Sequence, residues 1–415
     1  MPCANGASPV SQKGSTTRRS NARRTLSEKP SFRYRLAPGG TKRLLAFDGG
    51  GIRGLIALEI AGRLESLLRD ELGAGKEFVL ADYFDYIAGT STGAIIATCL
   101  SLGYSVEQVR NFYLEGAAAM FRRAPFLKQL YYRNVGTNLT ARLQELMASA
   151  DGTPLTLGDE SLRTLLLVIM KNATTNSPWP LSNNPAAIYN DRAQAGCNLD
   201  LPLWKILRAS TAAPTFFPPE DVTVGGQRFV FVDGAVSVYN NPAFLLFLMA
   251  TLPEYRLRWE TGEDKMLLVS IGTGSTGLAA PTLRGSQMNL LYSARSVPLA
   301  LLDASQSEQD VLCRIFGRCR YGEPIDTEIG DFMQSDEAYA SDGGPFAPKK
   351  FTYMRYNPNI TPEGLADLGL SGIRSADVQE MDSPNHLADL IAVGKAFASK
   401  VELSQFGAFP VGTVR

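Results

Sequence analysis

Gly89-Thr-Ser-Thr-Gly93 sets a serine between two glycines. An apolar run from Tyr86 precedes it, and Ala94-Ile-Ile-Ala97 continues at helical spacing. The pattern is G-x-S-x-G at a strand-to-helix turn. A turn that tight forces residue 91 into a strained backbone conformation. Side chains at 89 and 93 would collide with neighbouring backbone, so glycine is required at both. The Ser91 hydroxyl is thereby lifted above the sheet at the positive end of the following helix. A nucleophile placed there attacks a carbonyl whose developing negative charge the helix end favours. The same five residues also fit a plain strand-to-helix loop that contains a serine.

Two further loops bear on the choice. Arg43-Leu-Leu-Ala-Phe47 reads as a buried strand, and Asp48-Gly-Gly-Gly-Ile-Arg-Gly54 follows it directly. Apolar residues at Leu55, Leu58, Ala61, Leu64 and Leu68 then keep helical period. Successive glycines leave the amides of Gly49, Gly50 and Gly51 free of side chains. They could converge on one oxyanion, with Arg53 supporting the loop or meeting an anionic substrate group. Gly49, Gly51 and Gly54 also satisfy the dinucleotide fingerprint G-x-G-x-x-G. No acidic residue stands at the end of a second strand about 20 residues on, where that fingerprint needs one. A second literal match, at Gly272, Gly274 and Gly277, runs into Leu278-Ala-Ala-Pro281 without a prompt helix. Phe229-Val-Phe-Val232 then reads as a strand delivering Asp233-Gly-Ala235. In open α/β sheets such strand ends meet at one crevice. Asp233 could there take the Ser91 proton, provided burial raises its pKa. The chain has a single histidine, His386. A Ser91–Asp233–His386 triad would keep the α/β-hydrolase order. Yet His386 opens an expected helix, where the dipole disfavours the imidazolium a catalytic base must become.

Around these loops, strands alternate with helices. Further strands are expected at Leu165–Ile169, Ala186–Tyr189, Met266–Ile271 and Phe351–Tyr356. Helices are expected from the Ser105–Gln108 capping box, over Leu203–Ala209 and after Asn240-Asn-Pro242. Others run over Met288–Ile315 with a break at Pro298, and from Ser383-Pro384 to about Val401. The alternation implies an α/β fold with a mainly parallel central sheet covered by helices.

The three loops, in this order, resemble the patatin-like phospholipase family. Asp48–Gly54 is similar to its glycine-rich oxyanion loop, Gly89–Gly93 to its elbow and Asp233-Gly-Ala235 to its D-G-A/G motif. Asn240-Asn-Pro242 and Ala212-Ala-Pro214 also resemble family segments, and the likeness runs from about Lys42 to Gly274. The resemblance implies a three-layer sandwich and a catalytic Ser91–Asp233 dyad without a histidine. It also implies hydrolysis of fatty-acyl esters of membrane phospholipids, with no metal or other cofactor.

Bulk properties bound the rest. The chain has 415 residues, 45% hydrophobic and 20% charged, which is ample for a large core. Its 41 basic and 41 acidic residues cancel, so net charge offers no case for nucleic acid as a partner. Residues 1–40 are expected to be a disordered basic tail. They carry Lys13, Arg18, Arg19, Arg23, Arg24, Lys29, Arg33 and Arg35 against Glu28, with few large apolar residues. A tail of this kind also fits an electrostatic membrane tether or a transit peptide. Residues 41–405 then form the hydrolytic domain, with the motif-bearing core at 42–275 and a helical, lid-like portion at 276–405. Interleaved aromatic and basic residues over Met120–Arg133 suit either peripheral membrane contact or an ordinary helix and loop. Five cysteines without ligand spacing suggest neither a disulfide framework nor a metal site. A cytoplasmic protein that meets membranes peripherally is the expectation.

Overall fold

The computed structural model describes residues 32–120, 137–214, 216–276, 290–326, 328–333, 339 and 346–409. One sheet of 9 strands organises them. In chain order these are β1 (Lys42–Phe47), β2 (Tyr86–Thr90), β3 (Leu165–Asn172), β4 (Ser177–Ser182) and β5 (Glu220–Val224). Then come β6 (Gln227–Asp233), β7 (Met266–Ile271), β8 (Arg318–Tyr321) and β9 (Thr352–Tyr356). From β8 through β9, β7, β1 and β2 to β3 every neighbouring pair is parallel.

The far end of the sheet is antiparallel, and its register matters for the site. Ile169 of β3 pairs with Thr90 of β2 on one edge and with Pro180 of β4 on the other. One residue further, Met170 pairs with Asp233 of β6 and with Trp179 of β4. β6 therefore occupies the edge of β3 that β2 leaves at Thr90. The last residue of β6 meets the chain where β2 turns away.

Period-two alternation splits the core into two layers. Leu45 and Phe47 of β1, Ile87 of β2, Leu166 and Val168 of β3 and Val269 of β7 face one way. There they meet the helices Gly54–Glu71, Thr92–Ser101, Leu203–Ser210 and Leu387–Ala398. Leu44, Ala46, Tyr86, Ala88, Leu165, Leu167 and Leu268 face the other way, onto the helix Ala243–Thr251 and the end of Leu290–Phe316. The result is the expected α/β sandwich, with a mainly parallel sheet between helical layers. The helix Ala243–Thr251 is apolar on nearly every side because it is almost wholly buried. Among the described residues no helix is long and apolar enough to cross a membrane.

Several expectations need correction. Ala186–Tyr189 is not a strand; Ile188–Asn190 forms a 3-10 turn. The helix Leu290–Phe316 passes through Pro298 without a break. β4 is easily missed, because Pro178 and Pro180 argue against a strand. Among the described residues it pairs with β3 alone, so the prolines sit on an edge strand, where a missing N–H is tolerated. The basic tail was expected to extend to residue 40, but Phe32–Leu36 is a helix that belongs to the fold. Arg35 is buried there, donating to the carbonyls of Phe84 and Ala81 and pairing with Asp85. Lys42 is also buried and donates to the Tyr34 carbonyl at 3.0 Å. Residues 1–31 and the aromatic–basic stretch 121–133 lie outside the described residues.

Candidate active site

Ser91 has the strained backbone that the glycine spacing demands, with φ 55° and ψ −121°. A Cβ on Gly89 would lie 2.0 Å from the Gly93 carbonyl oxygen, and one on Gly93 would lie 2.3 Å from that of Phe47. No L side chain fits either place, so the elbow exists only with both glycines. The helix Thr92–Ser101 starts directly after Ser91 and aims its N-terminus at it. The Ser91 N–H donates to Ser210 Oγ at 3.0 Å, and Ser210 Oγ donates in turn to the Ile169 carbonyl at 2.6 Å. Ser210 thus ties the strained turn to the neighbouring strand.

Asp233 arrives at the end of β6, in line with β2. Its Oδ2 accepts the Ser91 hydroxyl at 2.7 Å, and its Oδ1 accepts the Ala235 N–H at 2.8 Å. Its own N–H donates to the Ala212 carbonyl at 2.9 Å. Gly234 is needed for the approach, since a Cβ there would lie 2.3 Å from the Ile169 oxygen. Both side chains are nearly buried, Ser91 at 8% exposure and Asp233 at 3%. Burial pushes the Asp233 carboxyl up to about 6. The Ser91 hydroxyl, the Ala235 amide and the nearby Arg208 charge oppose that rise. A carboxylate of that pKa is ionised at neutral pH yet basic enough to accept a proton.

The glycine-rich loop lies against the same serine. A Cβ on Gly49 would come within 3.2 Å of Ser91 Cβ. The three glycines do not serve alike. The Gly49 N–H is engaged with the Asn240 carbonyl at 3.1 Å, so Gly49 cannot offer it to an oxyanion. This corrects the sequence expectation for Gly49, whose role is close packing against Asn240. Among the described residues the N–H groups of Gly50 and Gly51 have no partner, and neither does that of Thr92. Gly51 needs its glycine twice over. Its φ is +60°, and a Cβ would sit 2.1 Å from the Met381 carbonyl oxygen. That oxygen accepts the Ile52 N–H at 2.9 Å, and Thr273 Oγ1 donates to the Gly49 carbonyl at 3.0 Å.

Arg53 is buried and turned back onto its own loop, with Nε 3.5 Å from the Gly50 carbonyl oxygen. Burial lowers its pKa to about 10, against the favourable charges of Asp303 and Asp48. Loop support is the contact observed. His386 does not join the site: its Nδ1 lies 3.2 Å from Asp389 and its Nε2 3.8 Å from Asp377. Ser91 meets the carboxylate directly, with no imidazole between. The glycine loop also lacks the open floor a dinucleotide requires, because Asn240, Thr273 and Met381 fill the space beside Gly49, Gly50 and Gly51. Among the described residues no acidic, histidine or cysteine cluster could hold a metal ion.

Sequence reasoning missed the supports. Asp48 is fully buried and paired with Arg355 of β9, whose Nη1 lies 2.9 Å from Oδ1. Gln306 donates to the same carboxylate at 3.0 Å. The Asp48 carboxylate holds the Arg355 guanidinium in its charged form. One signal was available: an arginine inside the otherwise apolar run Phe351–Tyr356 must find a buried carboxylate.

A serine at a strand-to-helix elbow, an adjoining carboxylate and a glycine-rich loop thus meet at the strand ends of a mixed, mainly parallel α/β sheet. Residues 45–247 match the family model for patatin-like phospholipase. Patatin-like protein 1 of Arabidopsis thaliana is 31% identical over 57% of this chain and 60% of its own length. Patatin-17 of Solanum cardiophyllum is 31% identical over 56% of this chain and 60% of its own. The chain therefore spans about three-fifths of the length of these relatives. Among solved structures, VipD from Legionella pneumophila aligns over 87% of this chain and 66% of its own, at 12% identity. Its TM-score is 0.37, a likeness too loose to bear on the site.

Proposed function

We propose that the protein is a serine lipid acyl hydrolase that releases fatty acid from membrane phospholipids through a Ser91–Asp233 dyad. The observation that carries this reading is the 2.7 Å hydrogen bond from the Ser91 hydroxyl to the buried Asp233 carboxylate. The family description supplies the substrate class. Asp233 Oδ2 accepts the hydroxyl proton as Ser91 Oγ attacks the ester carbonyl carbon. The oxyanion forms opposite the uncommitted N–H groups of Gly50 and Gly51, with the Thr92 N–H at the helix end as a further donor. Collapse breaks the ester C–O bond, and the proton on Asp233 passes to the leaving alcohol. Water, deprotonated by Asp233, then attacks the acyl-enzyme, releasing the fatty acid and restoring the Ser91 hydroxyl. Peripheral contact with the bilayer follows from the substrate.

The test is fatty-acid release from vesicles of defined phospholipids, with and without chelator. Ser91→Ala and Asp233→Asn should each lower release by at least about a thousandfold while the fold survives. His386→Ala and chelator should leave it unchanged. Full activity in Ser91→Ala would remove the mechanism, and inactivity of His386→Ala would move it to a triad.

A further inference from the structure

Gly54, the last glycine of the glycine-rich loop, has no part in the mechanism above. A Cβ there would lie 2.6 Å from Thr92 Oγ1 and 3.3 Å from Tyr113 Cε1. The missing side chain lets the helix Val106–Met120 bring Tyr113 against the residue that follows the nucleophile. Val106, Val109 and Tyr113 are buried and share one face of that helix. The Glu65 carboxylate accepts the Val106 N–H at 3.3 Å and fixes where the helix begins. Tyr113 is fully buried, so its hydroxyl must find partners inside the protein. It donates to the Thr92 carbonyl at 2.9 Å and lies 2.5 Å from Thr92 Oγ1. With its own proton on the carbonyl, it accepts the Thr92 hydroxyl. The peptide between Ser91 and Thr92 is thus held at both ends. The Ser91 carbonyl accepts the Ala94 N–H at 2.9 Å, and Tyr113 holds Thr92 through two oxygens. Between these ties the Thr92 N–H has no partner among the described residues.

Resting on the dyad reading, we propose that Tyr113 is a positioning residue that aims the Thr92 N–H at the oxyanion formed when Ser91 attacks. Tyr113 meets no reacting atom; it acts through Thr92. A donor in an oxyanion hole must already point to where the charge will develop, because turning it during the reaction costs rate. The loop residues Gly50 and Gly51 are fixed by close packing on Thr273 and Met381. The Tyr113 hydroxyl fixes Thr92 by hydrogen bonds instead. Acylation and deacylation both pass through a tetrahedral oxyanion on the same carbon, so one well-aimed amide serves both steps.

The experiment compares the parent, Tyr113→Phe and the double variant Tyr113→Phe/Thr92→Val, all as the full chain, with p-nitrophenyl butyrate as substrate. Rates are expressed per site labelled to completion by a fluorophosphonate. Each protein is also titrated with a fatty-acyl trifluoromethyl ketone, which adds to a serine nucleophile as a tetrahedral oxyanion. Tyr113→Phe should lower kcat about tenfold with KM within about twofold, a part of what losing a whole oxyanion donor costs. The Ki of the ketone should rise by the same factor as kcat falls, because only the oxyanion feels the misaimed amide. The double variant replaces both hydroxyls by apolar groups of similar shape and leaves neither without its partner. It should melt close to the parent yet keep the low kcat and the raised Ki, and it guards against a Phe variant that fails to fold. Parent values of kcat and Ki per labelled site in either folded variant overturn the proposal, even if the melting temperature falls, because lost stability alone marks a purely structural role. A parent enzyme that neither labels at Ser91 nor binds the ketone would instead overturn the dyad reading, and this proposal with it.

Discussion

In the proposed dyad, Ser91 and Asp233 divide one difficulty between them. A serine hydroxyl is a poor nucleophile, and an ordinary carboxylate is a poor base at neutral pH. Burial brings Asp233 up to about 6, where it is mostly ionised at neutral pH yet still basic. The linkage has a definite sign. The folded pKa exceeds the unfolded value, so folding favours the protonated form. That contribution is full below about pH 4 and is lost as pH rises through about 6. Activity runs the opposite way: hydrolysis should rise through a midpoint near pH 6 and level off above it, as a rate profile would record. Asp233→Asn removes the buried charge. It should abolish hydrolysis yet raise unfolding free energy at pH 8 by roughly 2–3 kcal/mol, measurable by urea denaturation. Both residue types were legible in the sequence, because the glycines beside them leave few other uses. Their direct hydrogen bond was not legible, since nothing local places residue 233 beside residue 91.

The elements explain the meeting. β2 stops at Thr90 and β6 takes over its edge of β3 at Asp233, so a register across three strands juxtaposes the two motifs. Parallel strands with apolar runs could be read from the sequence. β4, β5 and β8 could not, because edge strands tolerate the prolines and charges that usually argue against a strand. The glycine loop gives an element-level test. A Cβ at Gly50 would lie 2.1 Å from Thr273 Oγ1, whereas one at Gly51 would meet the Met381 backbone. Gly50→Ala should lower hydrolysis strongly, and adding Thr273→Gly should restore part of it because the obstacle is a side chain. No side-chain change at Met381 should rescue Gly51→Ala. Equal rescue of both in a vesicle assay would contradict the packing described for this loop.

At the scale of the molecule, the matched domain is not self-sufficient. It ends at residue 247, yet β7, which pairs along the whole of β1, begins at Met266. Arg355 and Gln306, which satisfy the buried Asp48, and Met381, which braces Gly51, also lie beyond it. A fragment of residues 45–247 would leave β1 as an exposed apolar edge and Asp48 as an unpaired buried charge. It should be insoluble, or lack a cooperative melt by calorimetry. In the full chain, Arg355→Met should lower stability by about 3–5 kcal/mol, the loss seen when one partner of a buried pair is removed. These long-range ties were the least legible part of the sequence. The C-terminal third carries no motif, and its service to the site comes through single residues.

The central claim is that acyl groups pass through Ser91 under the action of Asp233. The most direct measurement is mass spectrometry of the Ser91 peptide after acid quenching of enzyme mixed with phospholipid vesicles. The expected result is a fatty-acyl adduct on Ser91 in the parent enzyme and none in Asp233→Asn. Fatty acid released by the parent with Ser91 never acylated would contradict it.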